Sequence, residues 1–544
     1  MIHTVTISSD GAVMDPTYPL RSINIQREVN HIPHAELVLY DGDAAKGTFD
    51  ISDASFFELG KEIEIKLRDE RGTDHSEFKG RVMRHSLEGD DNGSRLVVGV
   101  KDAAVKLTGT RRSAVYTNQK DSEIIGKILR DANISTGSIA DATTNTGQVV
   151  QYYCTDWDFI LSRANAHGYC VAIDNGALSV KDLAVSGPPA HEFLLGDNVL
   201  EFEFDADLNH QFQAVESLAW DWKNLQATGP MKARPVATSQ GNFDAGKAAG
   251  SVGFEKCSLI TPVPLDSGEL QAWADGAMAL ARTSMLRGRI SGLGISRLKL
   301  LDTIALGGFG SRFNGTTPVT GFRHRVDNGE WVTEVLFGGS QQAFSSKQQV
   351  IDAPAAGLLP GLLGVQIGIV ADSGDDPEKE FRVKVRLPAI TTGDATVWAR
   401  LCAPDAGKQR GYFFRPEVGD EVVVSFLNND PRHPVIIGSL YGSKNMPPDE
   451  LARDLDKNKL KGIVTKKGTT IRFLDDDKSS VFIQTPNKNK ILLDDDGEAI
   501  KLTDQHGNTL TMDKNGIEMR SVKNLKIDAS SGNVEIKGIK VDVK

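Results

Sequence analysis

Residues 479–520 read SSVFIQTPNKNKILLDDDGEAIKLTDQHGNTLTMDKNGIEMR. Apolar residues recur here as pairs two positions apart: Val481/Ile483, Ile491/Leu493, Ile500/Leu502, Leu510/Met512 and Ile517/Met519. A period of two puts both members of a pair on one face of a strand. Polar strings separate the pairs (TPNKN, DDDGE, DQHGN, DKNG), and each is rich in turn formers. The pattern continues on both sides, to Ile471/Phe473 before it and to Leu525/Ile527, Val534/Ile536 and Ile539/Val541 after it. Successive pairs stand 10, 10, 9, 10, 7, 8, 9 and 5 residues apart. A short strand-plus-turn unit repeated in this way marks a repeat architecture.

A ribbon of such strands cannot cover its own apolar face and is marginal alone. Three copies wound about one axis would bury all the pairs in a shared core. The sequence therefore predicts a homotrimeric triangular β-prism over residues 462–544. Its core would hold Ile491, Leu493, Ile500, Leu502, Leu510, Met512, Ile517, Met519, Leu525, Ile527, Val534 and Ile536. At ~4.8 Å per strand, about nine strands give a rod of ~40 Å. Neighbouring copies would occupy its strand edges.

Upstream, residues 444–461 form a polar connector with Pro447-Pro448. Residues 365–443 read as a small β-barrel. Val383, Val385 and Leu387 alternate with basic residues, and Val422–Phe426 and Val435–Ile437 are apolar runs suited to buried strands. About five strands in such a length suit an OB-type barrel. Residues 350–364, VIDAPAAGLLPGLLG, read as a linker, partly packed because it is apolar. Residues 1–349 carry more strand patterns, such as KEIEIKLR at 61–68, Phe78–Val82, Arg95–Val100, Leu200–Phe204 and Trp331–Phe337. Helices are predicted over Ser122–Asn133 with Ser122 as cap, over Asp156–His167 ending at Gly168, and over Gly268–Arg287 with Leu270, Trp273, Met278, Leu280 and Ala281 packing. The fold class is mainly β.

Net charge is −11, so the chain gains nothing general from counterion release on nucleic acid. The last segment, 455–544, has 17 Lys/Arg against 14 Asp/Glu, interleaved as on a solvated surface. Cys154, Cys170, Cys257 and Cys402 form no CxxC pair, which leaves a thiolate zinc site without support and fits folding in a reducing cytoplasm. The opening MIHTVTISSDG lacks the plan of a secretory signal, and no run of ~18 apolar residues exists to span a membrane.

Few residues invite a chemical reading. Asp475–Asp477 and Asp494–Asp496 resemble acid clusters but read as prism turns without the spacing of a calcium loop. Gly307–Gly310 lacks the lysine and helix of a phosphate loop. His31 and His34 flank Ile32-Pro33, so no helix presents them together, and Ser439 is no nucleophile elbow. Trp220, Trp222 and Trp398 read as core or barrel-rim residues. Only Lys408–Arg415, KQRGYFFR, has the basic and aromatic mix that an oligonucleotide- or sugar-binding barrel needs. No catalytic residue, cofactor or metal is expected.

The order of parts, and several strings, resemble the VgrG and phage-baseplate hub-and-spike family of contractile injection systems. Residues 368–388, GIVADSGDDPEKEFRVKVRLP, and within 398–443 the pieces WAR, PEVGDEVVV and NNDPRHPVIIGSLY, look like its OB domain. LGKEIEIKL (59–67), FKGRV (78–82) and the helix of Asp156–Gly168 are similar to its hub elements. The resemblance implies a hub of two related barrels, here 1–100 and 185–345, that meets a sixfold tube through six near-equivalent positions in a trimer. It implies a non-enzymatic spike that caps the inner tube, organises the baseplate and punctures the target envelope when the sheath contracts. A PAAR-like tip protein would dock near Ile539, Val541 and Val543, effectors would ride on the spike, and the target membrane would be touched only transiently. The trimer would assemble in the bacterial cytoplasm and leave as part of a contractile particle. A type VI apparatus, an extracellular particle and a phage tail share this plan. Toxic activity is expected on a separate partner, because 444–461 is too short for a domain and the chain ends inside the repeats. The competing readings are a trimeric receptor-binding or polysaccharide-processing tail protein and an adhesin.

Overall fold

The computed structural model describes residues 4–68, 74–91, 93–141, 146–185, 187–340, 344–346, 350–388 and 393–543. The chain divides into two compact units, Met1–Asp352 and Ala353–Lys544.

The first unit is built on a 13-stranded sheet. Its opening strands are β1 (Val5–Ser9), β2 (Leu20–Glu28), β3 (His34–Tyr40), β4 (Glu62–Arg68), β5 (Asp74–Asp90) and β6 (Gly93–Lys101). Alternation drives them: in EIEIKLR of β4, Ile63, Ile65 and Leu67 are wholly buried while the charged residues face outward. With Ile23, Leu37 and Phe78 they form one apolar core.

A second set follows: β7 (His191–Leu194), β8 (Glu201–Ala206), β9 (Leu286–Leu293), β10 (Thr303–Gly307), β11 (Gly315–Asp327) and β12 (Glu330–Phe337). Phe193, Ile290, Ile304, Val319, Phe322 and Val335 form its core.

The two sets have one topology. The first runs β2-β3-β6-β5-β4 and the second β8-β9-β12-β11-β10, each antiparallel and each used in the same chain order. The correspondence extends to single residues. The long strands β5 and β11 each carry a bulge, between Val82 and Arg84 in one and between Val319 and Gly321 in the other. From the bulge each runs on to a last hairpin pair, Asp90↔Gly93 in one and Asp327↔Glu330 in the other. Ile63 and Ile65 of β4 fall where Ile304 and Leu306 stand in β10. The flanking strand differs: β1 pairs antiparallel with β4, whereas β7 pairs parallel with β10. The hub thus holds two related β modules, joined where β11 pairs with β2.

Between the modules lie α1 (Asp121–Asp131) and α2 (Asp156–Ala166). Ile124, Ile125, Ile128 and Leu129 of α1 are buried, as the sequence predicts. Ser122 does not cap: the helix starts one residue earlier, Lys120 N–H donates to the Glu123 carboxylate at 2.9 Å, and the Ser122 hydroxyl turns to Asp141. Asp121 is buried and accepts two hydrogen bonds from Arg163 and one from His167, all at 2.7 Å. Burial alone would raise its pKa, but the His167 and Arg163 bonds outweigh burial and hold it at about 2. A carboxylate depressed in this way stabilises the fold above the ordinary value of 3.8, and that contribution is lost as pH falls from there through about 2. Asp121→Asn leaves the Arg163 charge buried without its partner. It is expected to cost ~3–5 kcal/mol, read as a lower melting temperature at neutral pH. An unchanged melting temperature at pH 7 would refute the pairing.

The third long helix, α3, spans Ser267–Thr283, opened by a box in which Asp266 and Glu269 bond each other's backbone N–H. Leu270, Met278 and Ala281 are buried, and Trp273 and Leu280 half-buried. It stops short of the predicted Arg287 because Leu286 opens β9. Gly168, at φ +70° past the end of α2, abuts Gly276 of α3 so closely that a Cβ there would lie 2.6 Å from the Gly276 Cα. The short helix Ala245–Ser251 has no apolar stripe and is not foreseen.

In the second unit, β13 (Gln366–Asp372), β14 (Val383–Arg386), β15 (Val397–Leu401), β16 (Glu421–Phe426) and β17 (Pro434–Ser439) close a barrel in the order β13-β14-β15-β17-β16. Val370, Val383, Val385, Ala399, Val422 and Val424 fill it. The apolar stretch before it is partly packed: Ala355 is buried, Leu362 lies on the barrel core, and Leu362 N–H donates to Asn429 at 2.8 Å. Asp376 braces the first loop. It accepts two bonds from the Arg382 guanidinium and further bonds from three backbone N–H groups, which hold its carboxyl well below the usual range. Beyond residues 444–459 the chain enters a seven-stranded antiparallel meander: β18 (Leu460–Val464), β19 (Thr470–Leu474), β20 (Ser480–Gln484), β21 (Lys490–Asp494), β22 (Ala499–Thr503), β23 (Thr509–Asp513) and β24 (Gly516–Arg520).

Candidate functional site

The meander aligns its apolar pairs into two columns on one face. One column runs Ile463, Ile471, Ile483, Ile491, Leu502, Leu510, Met519. The other runs Phe473, Val481, Leu493, Ile500, Met512, Ile517. Register follows from the constant period: a slip of one residue would turn a whole pair to the opposite face. That face carries Gly462, Arg472, Phe482, Leu492, Lys501, Thr511 and Glu518, increasingly polar towards the C-terminus. Among the described residues no other element of the chain is paired over the columns. Exposure stays near 40% from Ile491 and Leu493 to Leu502 and rises only on the last strand, to 58% at Met519 and 73% at Ile517. An uncovered apolar stripe of this length marks a contact surface.

Beyond Arg520 the ladder of strands ends. Leu525, Ile527, Val534 and Ile536, and the tip residues Ile539, Val541 and Val543, lie on no strand and are exposed. Strands β19 to β23 start nine or ten residues apart, room for a five-residue strand and its turn. The later pairs are interrupted by Gly532 and Gly538, which weaken strand structure, and only the last of them falls as close as five residues after the one before. The structure therefore gathers the eight expected core residues from Ile491 to Met519 and leaves the last four apart from them.

The other candidates take structural places. The acidic turns pair with lysines: Asp475 with Lys461 at 2.8 Å, Asp476 with Lys459 at 2.6 Å, and Asp496 with Lys478. Among the described residues no cluster of three or more His, Cys, Asp or Glu side chains is arranged to hold a metal ion. Gly307–Gly310 presents Phe309 edge-on to Phe202 and Phe204. The His31 ring faces Val29 O at 3.1 Å, and His34 opens β3. Trp398 sits at the barrel rim beneath Lys384 and Arg382, 4.9 and 5.7 Å from the ring centre. Trp220 and Trp222 line an open groove with Ile260 and Pro262, and Ser439 ends β17. In KQRGYFFR the two arginines are engaged: Arg410 pairs with Asp405, and Arg415 donates to Ser373 O and Arg382 O. What the segment exposes is an apolar patch of Tyr412, Phe413 and Phe414.

The closed barrel and the uncovered stripe agree with two of the three family matches. Residues 1–328 match the Alg8 N-terminal domain. Residues 366–441 match the type VI secretion system/phage-baseplate injector OB domain, and 480–544 the phage baseplate V C-terminal trimerisation domain. The chain belongs to the VgrG and phage-baseplate spike family, with an N-terminal part of the Alg8 N-terminal domain family. It is 31% identical over 202 residues to the type VI secretion system spike protein VgrG1b of Pseudomonas aeruginosa, covering 35% of this chain and 26% of that protein. With VgrG1c of the same organism it is 24% identical over 506 residues, 87% of this chain and 66% of the relative. The chain thus spans between about a quarter and two thirds of these relatives' lengths. Among solved structures, a tail protein from Neisseria meningitidis superposes with a TM-score of 0.46 at 13% identity, over 62% of this chain and 97% of that one. A type VI secretion component from Escherichia coli gives 0.39 at 14%, over 80% and 99%.

Proposed function

We propose that three copies of this chain form the hub and spike of a contractile injection machine, and that the protein is mechanical rather than catalytic. The observation that carries this reading is the two-column apolar stripe of β18–β24, which finds cover when three chains wind their meanders about one axis, a reading that the match to a trimerisation domain supports. The hub, residues 1–349, would cap the inner tube and contact the baseplate. The OB barrel would lead into the prism. Sheath contraction would supply the work, and a stiff cross-linked rod would carry it to the target envelope. Ile539, Val541 and Val543, exposed at the end of the chain, would seat a PAAR-like tip protein, with effectors as separate cargo. Assembly would precede export, the trimer forming inside the producing cell and leaving with the particle.

Purified chain mixed with the tube protein encoded beside it should appear by electron microscopy as one added density at one end of each tube. Tubes left bare at both ends, with the chain folded and in excess, would overturn the assignment.

A further inference from the structure

Against the last turn of α3 the first unit holds a cavity of about 630 Å³, a size that suits a small molecule. Its wall is mostly apolar. Ala279 comes from α3, Val236 and Phe243 from the segment 235–245, Leu183 from the stretch before β7, and Pro318 from β11. The cavity arises where the insertion that carries α3 folds over the N-terminal half of β11. Thr320, also in the wall, is the extra residue of the β11 bulge between Val319 and Gly321. Its counterpart in the β5 bulge, Met83, stands 51% exposed, whereas Thr320 is 6% exposed.

Two polar groups in this wall lack the partners that burial normally demands. The Thr320 hydroxyl makes no hydrogen bond among the described residues. Arg282 is half-buried and lines the same cavity. Its guanidinium donates to Gln211 Oε1 at 2.9 Å and to the Phe212 carbonyl at 2.6 Å, both uncharged acceptors. A guanidinium carries more donors than these two bonds use. Among the described residues no carboxylate lies within ion-pair distance of it. Burial pushes its pKa down, and Asp244 offsets this only from a distance. The Asp244 carboxylate is engaged elsewhere, accepting from Lys247 N–H at the start of the short helix Ala245–Ser251.

We infer that this cavity binds a small amphipathic carboxylate, one anionic head on an apolar body as in a medium-chain fatty acid, with the head on Arg282 and the body along Leu183, Val236 and Phe243. The head supplies the missing countercharge through charge-assisted hydrogen bonds. The ligand, or the water that enters with it, gives the Thr320 hydroxyl a partner. Asp182, exposed in the wall, repels a second negative charge and so favours a monocarboxylate over a dianion. A bound ligand touches both the insertion and β11 and holds one against the other. Every wall residue lies in the first unit, so the site does not depend on the trimeric reading.

The test is calorimetric titration of the full-length protein with decanoate and, separately, with 1-decanol. Decanoate is expected to saturate at one molecule per chain and to bind about tenfold more tightly than the alcohol. Arg282→Gln should bring decanoate down to the affinity of the alcohol and leave the alcohol unchanged, which also shows that the variant is folded. Ala279→Phe fills the cavity from the α3 side and keeps Arg282. It should abolish binding of both ligands without lowering the melting temperature of the free protein. If Arg282→Gln does not fold, the preference of the native chain for the acid and its loss in Ala279→Phe decide the matter. Binding that survives Ala279→Phe would place the ligand on an exposed apolar surface such as the β18–β24 columns and overturn the site. Equal affinity for acid and alcohol, or a preference that persists in Arg282→Gln, would remove the guanidinium from the site and overturn the proposal. Absence of saturable decanoate binding up to its solubility would overturn it outright.

Discussion

A chain truncated after Lys459 is expected to sediment and scatter as a monomer, whereas the full chain gives a species near three times 58.9 kDa. The cut falls just before β18, so no strand is divided and the OB barrel keeps its five strands and its core. What is removed is the two-column apolar stripe that a single chain leaves exposed to water. Each Ile, Leu or Met moved from exposure to burial contributes roughly 1.5–3 kcal/mol. Association costs on the order of 4–15 kcal/mol per event. The thirteen side chains of the two columns, each already partly shielded by its neighbours, still exceed that cost in every copy. The exposed Tyr412–Phe414 patch offers three side chains against the thirteen of the columns. Light scattering of the two proteins at equal concentration decides the matter. A truncated chain that remains fully trimeric would move the trimer contact to the hub or the barrel and leave the stripe without a role.

Legibility from sequence follows how local each signal is. The meander is legible because a pair, a turn and the next pair all fall within about ten residues, so period and register are fixed by near neighbours. The amphipathic stripe of α1 is legible for the same reason. The last pairs, Leu525/Ile527 to Ile539/Val541, carry the right face pattern but lie outside the ladder of strands, in a run that Gly532 and Gly538 interrupt. The duplicated hub is the opposite case. Val82 and Val98 stand as far apart as Val319 and Val335, which is a usable trace. The rest is masked by the insertion between β8 and β9, which carries α3, and by the unequal β4–β5 and β10–β11 connections. Asp121 was invisible as a structural anchor because its partners Arg163 and His167 lie on α2 and at its end. In the candidate site, single residues were legible and their cover was not, since the partner is another copy of the same chain.

Replacing Leu493 by Asp tests the stripe at its middle without removing anything else. Leu493 lies between Val481 and Ile500 in its column, so in the trimer three carboxylates would meet at one level of an apolar axis. Burying an unpaired carboxylate costs several kcal/mol, and three at one level repel one another as well. Two escapes exist: the carboxylates take up protons, or the chains part. At neutral pH the second is expected, with loss of trimer by at least about a thousandfold in concentration, on the order of 4 kcal/mol. The first gives the result its pH dependence, with the trimer recovering below about pH 4, where carboxyls are protonated. Lys501→Asp is the matched control. Lys501 pairs with Leu492 and Thr511 on the opposite face, so its reversal of charge should leave the mass unchanged. If both variants stay trimeric, the columns are not the core. If both fall apart, the ribbon tolerates no charge on either face and the one-sided stripe is the wrong description of it.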